Sequence, residues 1–135
     1  MATETFPSRL ESLEKISEFV QQVARSACLN DREVYAVQLA VDEACTNIIE
    51  HAYHGKNGNI VCTCDVEADG LKVVLLDQAT PYNPESWSEP DVNLPLEEVK
   101  SRGLGLFLMH KMMDVVKFET SPEGGNCLTM IKRRE

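Results

Sequence analysis

In the stretch VDEACTNIIEHAYHG, residues 41–55, Glu43, Asn47 and His51 recur four residues apart within an otherwise apolar segment. On a helix drawn at 100° steps from Val37, the residues Val37, Val41, Ala44, Cys45, Ile48 and Ala52 fall within an arc of roughly 100°. Glu43, Asn47 and His51 fall at about 240°, 280° and 320° on the same wheel, along one border of that apolar stripe. At a rim facing a cleft, a carboxylate can take a proton or hold a water, and an amide oxygen is a hard ligand suited to Mg²⁺. Spacing alone also describes the polar border that most amphipathic helices possess, and by itself it favours that plainer reading.

A second group of residues sits in SRGLGLFLMHKM, residues 101–112, which brings Gly103 and Gly105 to the start of a helix. Unpaired N–H groups and the positive end of the helix dipole make such a terminus an anion site, and glycine lets a phosphate approach the backbone. Lys100, Arg102 and Lys111 would add positive charge. Glycines also serve tight packing, and this pair fits neither the Gly-Lys-Ser/Thr of a P-loop nor a Rossmann fingerprint, which must follow a strand directly. The third candidate is Asp77, at the end of the apolar run LKVVLLD and followed by QATPYNP. A carboxylate there can accept a hydrogen bond from an exocyclic amine such as that of adenine, although taken alone a simple strand-end turn acid is the favoured reading.

The elements that must position these residues follow from periodicity. Residues 2–6 fit a short edge strand. Ser8 and Glu11 in SRLE have capping-box spacing, and Leu10, Leu13, Ile16, Val20, Val23, Ala24 and Ala27 then recur at helical intervals over residues 9–27. Asn30 and Glu33 open a second helix running to about Tyr53, with Gly55 as its stop. Ile60, Cys62, Cys64 and Val66 alternate with polar residues over 59–67, and Asp69-Gly70 turns the chain into the strand ending at Asp77. Residues 78–101 hold four prolines and no clear period, the signature of a functional or mobile loop. A glycine-led helix and two strands, 114–120 and 126–133, close the chain. Strands that follow one another without alternating helices predict an α+β two-layer sandwich, a mostly antiparallel sheet with helices on one face.

Composition narrows the function classes. A chain of 135 residues suits a single domain. The net charge of −9 argues against a nucleic-acid binder, which needs a basic face for phosphates. No apolar run approaches the ~18–20 residues of a membrane span, and the first residues lack a signal pattern. A cytoplasmic protein is expected. The five cysteines are scattered with no CxxC pair, which disfavours a zinc site and suits small, reduced, buried hydrophobes.

Taken in order, these motifs resemble the GHKL ATPase superfamily, and DEACTNIIEHAY is similar to its N box, DQATP to its first glycine box, and RGLGLFLMHKMMD to its second. The resemblance spans nearly the whole chain and is closest to the anti-sigma-factor serine kinases of the RsbW and SpoIIAB type. It implies the Bergerat fold, with Asn47 holding a Mg²⁺ that bridges ATP phosphates and Glu43 acting as catalytic base. It also implies that Asp77 binds the adenine amine and that Gly103 and Gly105 line the phosphates beneath the 78–101 loop as a lid. Arg102 and Lys111 would contact phosphate, and His51 would orient its neighbours or a water. Two positions depart from the pattern: Ala79, at the adenine edge, stands where the family has glycine, and Asn126 where it usually has threonine. The implied activity is ATP-dependent serine/threonine phosphorylation of a STAS-type anti-anti-sigma antagonist, combined with binding of a sigma factor or another regulator. Relatives of this type often form dimers, so a homodimer is one option. The competing reading, resting on Ala79 and Asn126, is a non-catalytic partner-switching module with a degenerate nucleotide site.

Overall fold

A computed structural model describes residues 1–54, 56–79, 101–120 and 124–135, with only the backbone of 101–104. The elements run β1 (Ala2–Pro7), α1 (Ser12–Ser26), α2 (Asp31–Asn47), β2 (Asn59–Glu67), β3 (Gly70–Asp77), α3 (Ser101–Met112), β4 (Val115–Thr120) and β5 (Asn126–Arg133). The five strands form one sheet in the order β1-β2-β3-β5-β4, and every pairing is antiparallel. The α+β sandwich expected from the strand order is therefore present. Most of the 78–101 loop, residues 80–100, lies outside the described residues, as do 121–123 of the final turn.

Alternation along the strands decides which face is buried, because successive side chains point to opposite sides of a sheet. Ile60, Cys62 and Cys64 of β2, Leu71, Val73 and Leu75 of β3, and Leu128 and Met130 of β5 are all buried. Register sets them in rows: Cys62 faces Leu75, which faces Leu128, and Cys64 faces Val73, which faces Met130. The helices cover this face with Ile16, Val20 and Ala24 of α1, Val37, Val41, Ala44 and Cys45 of α2, and Met109 of α3. Burial of each such Val, Leu or Ile stabilises the fold by about 1.5–3 kcal/mol before entropy is counted.

Helix α2 begins where its capping residues predict. Asn30 Oδ1 accepts from the Glu33 N–H at 2.8 Å, and Glu33 Oε1 accepts from the Asn30 N–H at 2.8 Å. That reciprocal pair satisfies two otherwise orphaned donors and fixes the phase of every side chain that follows on α2. The corresponding expectation at Ser8 fails. Its N–H is taken by the Gly58 carbonyl at 2.8 Å, its hydroxyl is buried with no partner among the described residues, and α1 starts at Ser12, whose hydroxyl donates to Pro7 O at 2.7 Å. A tertiary contact to the β2 approach thus displaces the local cap. Two further differences concern chain reversals. Cys28 is exposed, with φ 62°, so it is a turn residue rather than a core thiol; Cys45, Cys62 and Cys64 are buried and free. At the end of α2, His54 itself adopts the left-handed conformation at φ 53°, ahead of Gly55.

Beyond Asn47 the helix changes character. Residues Ile48–Ala52 form a π turn, in which the Tyr53 N–H reaches back five residues to Ile48 O at 2.8 Å. The apolar pattern Ile48, Ile49, Ala52 is satisfied by either winding, so periodicity gives no sign of it.

Candidate functional site

Helix α2 carries Glu43 and Asn47 on its half-buried border, next to the buried stripe of Val37, Val41, Ala44, Cys45 and Ile48. His51 is also half-buried and lies in the π turn. What faces the border is α3. A Cβ on Gly105 would lie 2.9 Å from Glu43 Oε2 and 3.6 Å from Asn47 Nδ2. A side chain there would press on the flexible end of Glu43, so glycine leaves that carboxylate free to lie against α3. One glycine thus seats the first turns of α3 against the acid and the amide, which the sequence could suggest but not connect.

Burial and charge both act on Glu43. Loss of water around its carboxylate, helped by the neighbouring Asp42, pushes its pKa above the usual glutamate value. Asp42 is itself raised by burial. A carboxylate so placed holds a proton more readily than an exposed one, which suits general-base work.

Asp77 ends the buried row of β3 and faces Asn126 across the β3–β5 ladder. Both side chains point to the helix-covered side, and both are buried, Asp77 at 3% exposure and Asn126 at 6%. Asn126 Nδ2 donates to Asp77 Oδ1 at 2.9 Å, and the Ala79 N–H donates to the same oxygen at 3.0 Å. Burial holds the Asp77 pKa above the usual carboxylate value, and these two donors offset only part of that rise. Among the described residues no donor falls on Oδ2, so that oxygen is the one suited to an incoming amine. The departure at Asn126 therefore keeps a donor on the key carboxylate. Ala79 contributes through its backbone N–H, which any residue but proline supplies, while its methyl is buried beside the same turn. Gly125 closes the arrangement at φ +92°, where a side chain would overlap the Asp77 carbonyl oxygen.

The remaining expected residues divide. Arg102 and Gly103 belong to the first turn of α3, and their side-chain surroundings lie outside the described residues. Lys111 sits eight residues from Gly103, about 12 Å along a helix at 1.5 Å per residue. Its ammonium lies 5.5 Å from the centre of the Phe107 ring, in the last turn of α3. Tyr53, the last residue of DEACTNIIEHAY, bonds the backbone next to Asp77 through its hydroxyl. Its place at the end of that motif does not reveal a partner twenty-five residues away.

A bound divalent ion can be tested against these residues. Among the described residues, no three His, Cys, Asp or Glu side chains group as a metal cage. Mg²⁺ does not need one, since it keeps several waters and takes one or two protein oxygens together with substrate phosphates. The Asn47 amide, one turn from Glu43 on α2 and facing Gly105 of α3, can offer one such oxygen and fits that mode. No described helix is long and apolar enough to cross a membrane.

A two-layer sandwich with an acid–amide pair on one helix, a glycine-started helix against it and a buried strand-end aspartate defines an ATPase-type nucleotide fold. Residues 6–132 match the family described as histidine kinase-like ATPase domain, and the chain belongs to that family. It is similar to the serine-protein kinase RsbW of Halalkalibacterium halodurans, with 28% identity over 132 residues, 95% of this chain and 80% of that protein. The proteins of the same name from Bacillus mycoides and from Bacillus cereus strain B4264 are 32% and 30% identical over 85 and 89 residues. Those two alignments span 60% and 63% of this chain, and little more than half of each relative, 53% and 56%.

Proposed function

We propose that the chain is one ATPase domain working in the cytoplasm as an ATP- and Mg²⁺-dependent serine/threonine kinase and anti-sigma factor. It binds a sigma factor or another regulator and phosphorylates a serine of a STAS-type antagonist protein. The observation that supports this reading is the seating of Gly105 against Glu43 and Asn47, which brings an acid, an amide and the first turns of α3 together. The printed names of the relatives, serine-protein kinases, support the same reaction class.

In this reading Asn47 holds Mg²⁺, which when bound offsets the charge on the ATP phosphates. Glu43 accepts the proton of the attacking serine hydroxyl, and its desolvated setting suits it to that task. The first turn of α3, which includes Gly103, contributes N–H groups at the positive end of the helix, and Gly105 one turn on keeps the approach free of a side chain. Asp77 Oδ2 receives the exocyclic amine, while Asn126 and Ala79 hold Oδ1.

The deciding experiment mixes the purified protein with labelled ATP, Mg²⁺ and candidate STAS-type antagonists. Label on an antagonist serine, abolished by a chelator, is expected. In parallel, Mg-ATP at a hundredfold excess over Kd should stabilise the fold by about 2.7 kcal/mol. Stabilisation without transfer to any antagonist would instead establish a binding-only switch, and neither effect would remove the nucleotide site.

A prediction follows from the helix contact. Gly105→Ala should leave the melting temperature equal or higher, because alanine gains about 0.8–1 kcal/mol over glycine inside a helix. The new methyl would crowd the flexible Glu43 carboxylate, 2.9 Å away, and turn it aside. Phosphoryl transfer should then fall at least about tenfold, in line with the loss of a positioned base. Melting and transfer assays on the same preparation check both halves, and an unchanged rate would show that Glu43 does not act from beside Gly105.

A further inference from the structure

Tyr53 ties three separate pieces of backbone together at the end of the sheet nearest Asp77. Its position follows from the π turn, which ends α2 with the Tyr53 N–H on Ile48 O at 2.8 Å. Single π turns inside α-helices recur at functional sites. The ring lies against Gly58, where any side chain would overlap it. With the ring so held, the hydroxyl donates to Asn59 O at 2.9 Å and accepts from the Gln78 N–H at 2.8 Å. Its donor and one acceptor site are both used.

The two partners identify what the hydroxyl does. Asn59 is the first residue of β2 and Gln78 the first residue beyond β3, and the ladder between them ends at the Ile60–Asp77 pair. A further antiparallel rung would bring Gln78 and Asn59 together. The phenol occupies that place instead, bridging the donor of one to the acceptor of the other. The strand end is thereby propped away from β2 just after Asp77. The next N–H, that of Ala79, turns back onto Asp77 Oδ1. Two successive peptide N–H groups beside the carboxylate are thus fixed, one by Tyr53 and one by Asp77 itself.

We propose that Tyr53 is a positioning residue for nucleobase recognition: its hydroxyl sets the 77–79 turn, and so the aim of the Asp77 carboxylate, from the helix that carries Glu43 and Asn47. This inference rests on the nucleotide reading above and adds a specificity-determining residue to it. Tyr53 touches backbone rather than ligand, so its effect should appear in base discrimination and in KM for ATP, with kcat nearly unchanged.

The test is Tyr53→Phe, which keeps the ring against Gly58 and removes only the oxygen. Amide exchange at Gln78 and titrations with Mg-ATP and Mg-GTP are measured on wild type, Tyr53→Phe and Asp77→Asn. In Tyr53→Phe the Gln78 amide should exchange several-fold faster, and ATP should bind about three- to tenfold more weakly, the range of one lost hydrogen bond. GTP should change less, so the preference for ATP narrows. Unchanged Gln78 exchange would overturn the contact. Unchanged ATP affinity, or an equal fall for ATP and GTP, would make Tyr53 structural only, provided that Asp77→Asn does weaken ATP. If wild type itself binds neither nucleotide, or Asp77→Asn binds ATP as wild type does, the underlying nucleobase reading fails and this inference fails with it.

Discussion

Glu43→Gln is expected to lower phosphoryl transfer to the antagonist by ~10²-fold or more, with Mg-ATP affinity nearly unchanged, since general-base groups contribute typically 10²–10⁴-fold. Glutamine keeps the length and packing of the side chain beside Gly105, so the helix contact that seats α3 survives. What disappears is the proton acceptor. The base is needed as the serine hydroxyl attacks and much less while ATP is merely bound, so the loss belongs in kcat. The partly buried setting makes the exchange of a carboxylate for a neutral amide easy for the fold, because the carboxylate is already held above its usual pKa by burial and by Asp42. Initial-rate kinetics and calorimetric titration on the same variant separate the two quantities. Transfer at the wild-type rate would exclude Glu43 as the base, and an equal loss of ATP affinity would move its role to binding.

The sequence showed some of this arrangement and concealed the rest, for identifiable reasons. Strand β2 lies where the alternation of Ile60, Cys62 and Cys64 puts it, since a half-buried strand writes its period directly into the chain. The apolar stripe of α2 is likewise buried residue for residue, which leaves Glu43 and Asn47 on its border as the wheel requires. The start of α1 was misread because Ser8 has the right local chemistry for a cap, yet its N–H is taken by Gly58, fifty residues away. The same limit hid the core of the site. Glycine spacing in α3 shows that something approaches closely but not that it is Glu43 and Asn47, and only the strand register brings Asn126 opposite Asp77. In sequence Asn126 is visible only as a departure in residue type, and its bond to Asp77 appears only in the fold. The charge of Lys111 and its spacing from Gly103 are both visible in sequence, whereas the seat of its ammonium near the Phe107 ring is not. Tyr53 shows the limit most clearly, since its two bonds go to backbone atoms that carry no side-chain signature.

The second large effect is expected at Asn47. Asn47→Ala should reduce Mg²⁺-dependent ATP affinity on the order of 10- to 100-fold, the range seen when groups supporting a metal site are removed. Other protein ligands are scarce: among the described residues no acidic or imidazole cluster can hold the ion alone. Mg²⁺ bound through phosphates and waters takes few protein oxygens, so the loss of a neutral amide oxygen next to Glu43 is felt strongly. The fold should not suffer. Asn47 is half-buried at the end of α2 and makes none of the capping bonds, which lie at Asn30 and Glu33. Alanine is the better helix former by several tenths of a kcal/mol, so the melting temperature should hold or rise slightly. The decisive comparison is ATP titration with Mg²⁺ and with a chelator. Wild type should bind much more tightly with the metal, and Asn47→Ala should bind about equally in both. If the variant keeps the full Mg²⁺ dependence, the metal is held elsewhere and the Asn47 amide serves the helix border alone.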